Sequence, residues 1–231
     1  MKEFYYTKLA ICRIKGDIIR YGYDVDKEIS ALLKKNITDL TDSEIELIFS
    51  FAREKGIDLF YFQKTGSLLP RVSKVIGVLK SIYCESLLDV GSGRGAFLIP
   101  FLDMFPYVSV SSMDILEERF IMLKDMEIGG LEKFTATNTN ICDIICEEKS
   151  VDVVTLLEVL EHIPQVEKAI ENAVKIAREY VIVSVPSKED DNKEHIHLLT
   201  KEKLTMYFEK QGVSKISFDN VHDHLIAIVK I

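Results

Sequence analysis

Two glutamates and a histidine stand close together in the stretch EVLEH. If this stretch is helical, Glu158, Glu161 and His162 fall at positions i, i+3 and i+4 and share one helix face. Two carboxylates and an imidazole suit Mg²⁺ or Mn²⁺, and a hydroxyl bound to such a metal loses its proton near neutral pH. Without a metal, His162 has the chemistry of a general base, and a purely structural role is the third alternative. A further histidine comes from EHIHLLT, either His195 or His197, and a plain loop role is the alternative for His195.

A second chemical signal is the glycine-rich stretch SLLDVGSGRGAFL, which begins at Ser86. Gly91, Gly93 and Gly95 follow a short apolar run, and glycine lets the backbone approach a ligand without a Cβ in the way. The N–H groups at the start of the next helix point to the same place. Asp114, about 20 residues on, is suited to accept hydrogen bonds from ribose hydroxyls, with a helix N-cap as its alternative role. The pattern predicts a nucleoside ligand, and GSGRGA also satisfies the dinucleotide fingerprint.

The segments that must position these residues change in character near residue 84. Before it the sequence reads as helical: TDSEIELIFSFAREKG carries a capping-box pattern, Ser43 with Glu46, followed by apolar residues at helical spacing. After it, short apolar strands alternate with helices, which is typical of a mostly parallel, doubly wound sheet. We therefore predict an α/β protein with an N-terminal helical, substrate-covering cap over residues 1–84 and a Rossmann-like cofactor-binding domain over residues 85–231.

Each element of the second part has its own sequence signal. Strands are predicted in SLLDV, YVSVSSM, KFTAT, VDVVTLL, YVIVSV, VSKISF and HLIAIVKI. Helices are predicted over residues 96–104, 116–126, 166–178 and 201–211. Only DNVHD joins the last two strands, whereas a parallel crossover needs a dozen or more residues. The final strand should therefore run antiparallel, as one half of a hairpin.

Three features favour a ligand with an amino-acid moiety over a dinucleotide. Asp89 precedes the first glycine by two residues, where its carboxylate can reach an ammonium group directly or through water. A dinucleotide carries no such group. The antiparallel hairpin is not the usual end of a dinucleotide fold, and the segment after the fourth strand reads LLEVLEHIP.

Four stretches taken in order resemble the class I S-adenosylmethionine-dependent methyltransferases: LLDVGSGRGAFL, MDILEERF, VDVVTLLEVLEHIP, and YVIVSVPS followed by HIHLLTKEKLTMYF. The resemblance covers roughly residues 87–231. It implies a seven-stranded sheet with one antiparallel strand and a glycine loop packed against the methionine part of the cofactor. It also implies that Asp114 holds the ribose, that Ile115 lies against the adenine, and that Asp89 and Leu157 belong to the cofactor-binding residues.

One position departs from the pattern of the family. Many of its members have an aspartate after the third strand that binds the adenine amino group, whereas this chain reads TNTNICDII. Asn140 falls nearest that place and Asp143 follows three residues later, and either side chain offers an oxygen acceptor. We favour Asn140 together with the backbone of Ile141, with a plain loop role as the alternative.

The Glu-x-x-Glu-His pattern resembles two groups of methyltransferases, the small-RNA 3′-terminal 2′-O-methyltransferases and the ubiquinone-pathway O-methyltransferases. That resemblance implies Mg²⁺ or Mn²⁺ held by Glu158, Glu161, His162 and His195. EVLEH also occurs in the family without a metal, so the three roles of His162 stay open. We predict methyl transfer to oxygen, or nitrogen, of a small metabolite. The alternatives are a metal-assisted RNA ribose 2′-O-methyltransferase, a non-catalytic S-adenosylmethionine-binding protein and a nicotinamide-dependent dehydrogenase.

Composition supports a small-molecule acceptor. The net charge is −8, and the first 80 residues hold 14 basic and 11 acidic side chains, which leaves 15 and 26 for the remainder. This balance lacks the basic footprint of a nucleic-acid-binding protein. No apolar run of about 20 residues predicts a membrane segment, and without a secretory signal we expect a cytoplasmic protein with reduced cysteines. Cys142 and Cys146 stand four apart, but small apolar roles are favoured over metal binding.

The N-terminal helices and the terminal hairpin leave further alternatives. The aromatic residues of EFYYTK, RYGYD and LFYFQK either line a lid over the acceptor pocket or pack between helices. Arg71 either meets the cofactor carboxylate or lies on a solvated helix face. His222 and His224 are expected at the surface.

Overall fold

The computed structural model describes residues 4–145, 147–189 and 191–231, so Cys146 lies outside the described residues. The α-helices are α1 (Thr7–Tyr21), α2 (Lys27–Leu32), α3 (Asp42–Glu54), α4 (Pro70–Leu79), α5 (Leu98–Met104), α6 (Glu117–Ile128), α7 (Val166–Ile176) and α8 (Lys201–Lys210). The strands are β1 (Ser86–Val90), β2 (Ser109–Asp114), β3 (Phe134–Asn138), β4 (Val151–Leu157), β5 (Ala177–Pro186), β6 (Lys215–Val221) and β7 (His224–Lys230).

The seven strands form one sheet in the order β3-β2-β1-β4-β5-β7-β6. Strands β1 to β5 pair in parallel, whereas β7 runs antiparallel to both of its neighbours, β5 and β6. This confirms the Rossmann-like, doubly wound sheet and its antiparallel C-terminal strand. The order reverses at β1, so the carboxyl ends of β1 and β4 flank the crevice where open α/β sheets bind ligands.

Both faces of the sheet are covered, and alternation along each strand decides which side chain meets which layer. Leu87 and Val153 belong to a core shared with α1, α3, α4, α5 and α6, whereas Leu88 and Val154 belong to a core shared with α7 and α8. The strands are accordingly apolar at successive positions, as expected for strands buried on both sides. Within the described ranges, no helix is both long and apolar enough to cross a membrane.

The N-terminal helices are joined to the sheet through a close contact between α1 and α6. Gly16 of α1 faces the backbone of Asp125, and a Cβ on Gly16 would lie 1.9 Å from that carbonyl oxygen. Gly129 lies just after α6, and a Cβ on it would lie 1.8 Å from the carbonyl oxygen of Cys12. The two backbones therefore approach at a distance that only glycine permits at these positions.

An ion-pair cluster lies at the same contact. The carboxylate of Asp125 is fully buried and pairs with Arg13 and, at 2.6 Å, with Nε of Arg20. Arg13 also pairs with Asp17, 2.5 Å away on the next turn of α1. Because a buried carboxylate is costly without partners, these arginines fix α1 on α6.

Helix α3 begins two residues earlier than its pattern suggested. The N-cap is Thr41, whose hydroxyl accepts from the N–H of Glu44 while the Glu44 carboxylate accepts from the N–H of Thr41. The predicted capping box of Ser43 with Glu46 is therefore wrong. The same spacing occurs at Thr41, and the earlier start places Asp42 and Glu44 in the first turn, where acidic residues are favoured by the helix dipole.

Candidate functional site

Two adjoining cavities open at the carboxyl ends of β1, β2 and β4. The larger has a volume of about 400 Å³ and extends from the end of β2 to the segment after β4. The smaller, of about 170 Å³, lies between the glycine loop and α4. Gly91, Arg119 and Glu158 border both cavities, which therefore form one divided site.

The glycine loop lies between the two cavities and separates them. Gly91 has φ of 65°, and a Cβ there would lie 2.6 Å from a methyl group of Val159, so both conformation and space require glycine. Its N–H donates to the carbonyl oxygen of Met113 at 2.8 Å, and the N–H of Gly93 donates to Oδ2 of Asp114 at 2.8 Å. The loop is thus fastened to the end of β2, with its bare backbone turned to the cavities.

Asp114 is held in place by the backbone on both of its oxygens. Besides the bond from Gly93, its Oδ1 accepts from the N–H of Leu116 at 2.9 Å. Leu116, not Asp114, is the N-cap residue of α6. Each carboxylate oxygen keeps further acceptor capacity, and Asp114 borders the larger cavity beside the exposed side chain of Ile115. The position suits a ligand that donates two hydroxyls next to an apolar ring.

Asp89 borders the smaller cavity and is almost fully buried. Thr155, its register partner on β4, donates a hydroxyl hydrogen bond to Oδ1 of Asp89 at 2.7 Å. Burial raises the pKa of Asp89 to about 6, and the hydrogen bond from Thr155 opposes only part of this rise. An incoming cation would favour the ionised form, so this carboxylate is prepared for a positively charged partner.

The segment after β3 contributes to the larger cavity. Asn140 and Ile141 border it, and Oδ1 of Asn140 accepts from the N–H of Cys142 at 2.9 Å. Asp143 is exposed and borders a separate surface depression instead. Leu157, at the end of β4, borders the smaller cavity.

The EVLEH segment is not an α-helix. A 3₁₀ turn covers only Leu160–His162, and Glu158 has φ of 59°. The expected alignment of Glu158 with Glu161 and His162 is wrong, because the positive φ directs the Glu158 side chain toward β5 and β7. Ser184 clamps it there: its hydroxyl donates to Oε1 of Glu158 at 2.6 Å, and its carbonyl oxygen accepts from the N–H of Glu158 at 2.8 Å.

Two basic side chains also reach Glu158. Nδ1 of His224 lies 3.0 Å from Oε2, an ion-pair distance without hydrogen-bond alignment, and Nε of Arg71 lies 3.9 Å from Oε1. The prediction that His224 lies at the surface is therefore wrong. Because β7 pairs with the end of β5, its first residue is brought beside the site. His222 is exposed, in agreement with the prediction.

Glu161, His162 and His195 come together on the other side of the segment. Each offers one ligand atom, and these atoms lie within 4.8 Å of one another. Nδ1 of His162 lies 3.0 Å from the carbonyl oxygen of Glu194, which can only accept, so Nδ1 carries the proton and Nε2 is the basic nitrogen. The group has the composition of a divalent cation site, and His197 is not part of it.

The N-terminal region supplies one wall of the smaller cavity through α4. Arg71, Val72 and Val75 border it, and the Arg71 side chain is only a quarter exposed, so it does not lie on a solvated face. The guanidinium of Arg94, in the glycine loop, lies 5.4 Å from the ring centre of Tyr61. Other predicted lid aromatics are divided between surface and core, with Phe60 exposed and Phe62 buried.

Sequence reasoning missed several residues of this site. Thr155 and Ser184 are polar residues inside otherwise apolar strands, and that contrast was a usable signal. The sequence around Arg119 carried no signal of a role in the site, because a basic residue in the first turn of a helix usually lies in solvent. His224 was missed because the position of β7 between β5 and β6 is a property of the whole sheet.

Comparisons with known proteins agree with this geometry. A family model described as a methyltransferase domain matches residues 23–217. No curated protein matches the sequence. Because the family model includes α3 and α4, the match extends well ahead of the glycine loop.

Three solved structures illustrate the likeness in fold. An S-adenosylmethionine-dependent methyltransferase from Aquifex aeolicus is 18% identical, with 71% of this chain and 100% of that chain covered and a TM-score of 0.55. The methyltransferase domain of bacterial CtHen1 is 19% identical, with 70% and 98% covered and a TM-score of 0.56. The [4+2]-cyclase SpnF is 13% identical, with 70% and 80% covered and a TM-score of 0.57. At these identities the similarity concerns the fold alone.

Proposed function

This chain is a member of the class I S-adenosylmethionine-dependent methyltransferase family, and we propose that it methylates an oxygen atom of a small metabolite, with nitrogen as the second acceptor. The observation that carries this proposal is the pair of carboxylates on either side of the glycine loop. Asp114 borders the larger cavity and Asp89 the smaller one. The two match the ribose and the amino-acid ammonium of one elongated nucleoside.

We assign the cofactor's parts to the residues that border each cavity. Asp114 accepts from the ribose hydroxyls, while Ile115, Asn140 and the backbone of Ile141 bind the adenine. The backbone of Gly91, Gly93 and Gly95, with Leu157 and Asp89, binds the methionine part. These assignments rest on the family resemblance together with the borders of the two cavities.

When bound, S-adenosylmethionine supplies an electrophilic methyl group on its sulfonium. The chain must hold the acceptor atom in line with that group and exclude water, which lowers the barrier by several kcal/mol. His162 borders the larger cavity, and with Nδ1 protonated its Nε2 can take the proton that a hydroxyl or amine loses. We propose that the N-terminal helices over residues 1–84 cover the acceptor, because α4 already forms a wall of the site.

The test is a calorimetric titration with S-adenosylmethionine and its demethylated product, followed by a screen of small acceptors with radiolabelled methyl donor. We expect binding of both nucleosides and transfer to a hydroxyl or amine. Correctly folded protein that binds neither nucleoside would contradict the proposal. Binding without transfer to any acceptor would favour a non-catalytic S-adenosylmethionine-binding protein.

The pKa of Asp89 predicts how cofactor binding depends on pH. Protonated Asp89 cannot pair with an ammonium, so affinity for S-adenosylhomocysteine should rise by up to about tenfold per pH unit below pH 6 and level off above it. Calorimetry between pH 5 and 8 measures this, with Asp89→Asn as the control that should be weaker and nearly pH-independent. A wild-type profile as flat as that of the variant would refute the pairing.

The same pKa makes an independent prediction for the free protein. Asp89 has its ordinary pKa of 3.8 when unfolded and about 6 when folded, so between these values the folded state binds the extra proton. The contribution of Asp89 to the free energy of unfolding should therefore fall as pH rises through this window. The difference in unfolding free energy between wild type and Asp89→Asn should fall with it, because the other carboxyl groups contribute equally to both proteins. Urea denaturation at pH 4 to 7 measures it.

A metal-assisted RNA ribose 2′-O-methyltransferase is the second candidate, favoured by the group of Glu161, His162 and His195. Mg²⁺ or Mn²⁺ would fit these three residues and would supply a Lewis acid beside the acceptor. Glu158 does not fit as a fourth ligand, because its carboxylate is turned to Ser184 and His224.

Chelation separates the two candidates. Under the primary proposal, activity after treatment with EDTA and desalting should stay within about twofold of the untreated enzyme, because no step needs a Lewis acid. Loss of activity that Mg²⁺ or Mn²⁺ restores, together with methyl transfer to the 3′-terminal ribose of an RNA oligonucleotide, would establish the second candidate instead.

A further inference from the structure

Arg119 lies at the junction of the two cavities. It belongs to the first turn of α6 and borders both the larger and the smaller cavity. A Cβ placed on Gly93 would lie 3.8 Å from Nη1 of Arg119, so the guanidinium is directly above the middle glycine of the loop. A ligand lying on the bare backbone of that loop therefore meets this guanidinium.

The charge of Arg119 is not compensated within the described part of the chain. Arg119 forms no ion pair there, and its buried Nε has no hydrogen-bond partner. The other arginines that border the smaller cavity are engaged: Arg71 lies 3.9 Å from Glu158, and exposed Arg94 lies over the ring of Tyr61. A partly buried guanidinium without an acceptor is costly, so the site gains when a ligand brings an anion.

The amino-acid end of the cofactor presents one ammonium and one carboxylate. Asp89 provides an anion for the ammonium, and a planar guanidinium is the side chain best shaped for a carboxylate. We propose that Arg119 binds the carboxylate of the cofactor's methionine part, an inference that rests on the proposed function. Arg119 thereby distinguishes intact cofactor from nucleosides that lack this carboxylate.

A pair of ligands that differ only in the carboxylate tests the assignment. S-adenosylhomocysteine and its decarboxylated analogue are titrated calorimetrically into wild-type protein, Arg119→Gln and Arg71→Gln. Arg119→Gln should lower the affinity for S-adenosylhomocysteine by about 10- to 100-fold, the range of a charge-assisted hydrogen bond. It should lower the affinity for the decarboxylated analogue by less than about threefold. In Arg71→Gln, the matched substitution in the same cavity, the affinity ratio of the two ligands should stay at the wild-type value.

The decarboxylated analogue also controls for folding, since it reports an intact nucleoside site in each variant. The proposal would be overturned if Arg119→Gln left the affinity ratio of the two ligands at its wild-type value. It would also be overturned if Arg71→Gln, and not Arg119→Gln, abolished the preference for S-adenosylhomocysteine. Wild-type protein that binds the two ligands equally would also overturn it, while leaving the proposed function intact. Failure of wild-type protein to bind either ligand would overturn the proposed function itself, and this assignment with it.

Discussion

Replacing His162 with glutamine is expected to lower kcat by about 10²- to 10⁴-fold, the usual contribution of a positioned general base. Glutamine keeps a polar side chain of similar reach but cannot take a proton. The ring is already oriented for this task, because Nδ1 donates to the carbonyl oxygen of Glu194 and leaves Nε2 free to accept. The measurement is steady-state kinetics with the acceptor that the screen provides, alongside calorimetry with S-adenosylhomocysteine.

Two observations would distinguish this role from a structural one. Affinity for S-adenosylhomocysteine should stay within about threefold, because the substitution removes an interaction made only in the transition state. His222→Gln, a matched change at an exposed histidine of the terminal hairpin, should leave both quantities unaltered. A His162→Gln enzyme that retains wild-type kcat would exclude His162 as the base.

Gly16→Ala is expected to lower the free energy of unfolding by about 3 kcal/mol, at the upper end of the usual cost of overpacking a tight contact. The new methyl group would stand 1.9 Å from the backbone carbonyl oxygen of Asp125, and a backbone atom cannot yield as a flexible side chain does. Helices α1 and α6 must then separate, which also stretches the ion pairs of Asp125 with Arg13 and Arg20. Urea denaturation followed by circular dichroism measures the change.

Gly77→Ala is the matched control. Gly77 lies inside α4, and a Cβ there would meet nothing within 4 Å. The same substitution should therefore stabilise the protein by about 0.4–1 kcal/mol through the lower entropy of the unfolded chain. If the two variants shifted stability by the same amount and sign, the close approach of α1 and α6 could not be the cause.

Much of the fold was predictable because its signals are local. Strands β1 and β4 match their predicted limits to the residue, since each is a short apolar run between turn-forming segments. The antiparallel end followed from one loop too short for a crossover. The start of α3 was misplaced by two residues, because two overlapping Ser/Thr-x-x-Glu spacings compete and only the structure shows which is used.

The site was harder to predict than the fold, because its side chains are brought together by register and by backbone turns. A single positive φ at Glu158 separates this glutamate from Glu161 and His162, and a helical reading of EVLEH had no signal for it. Arg119 and His224 reach the site only through the packing of α6 and β7. The glycine loop, Asp89 and Asp114 could be predicted because their spacing along the chain is itself the motif.

The contact between α1 and α6 bears on how such a protein can be divided or recombined. A fragment that starts at β1 would retain Asp125 without Arg13 and Arg20 and would leave a narrow backbone groove uncovered. A chimaera that exchanged the first 84 residues for those of another methyltransferase would need its own glycine and arginine partners for this groove. Any change in the first 84 residues is thus coupled, through the contact between α1 and α6, to the helix that carries Arg119 at the border of both cavities.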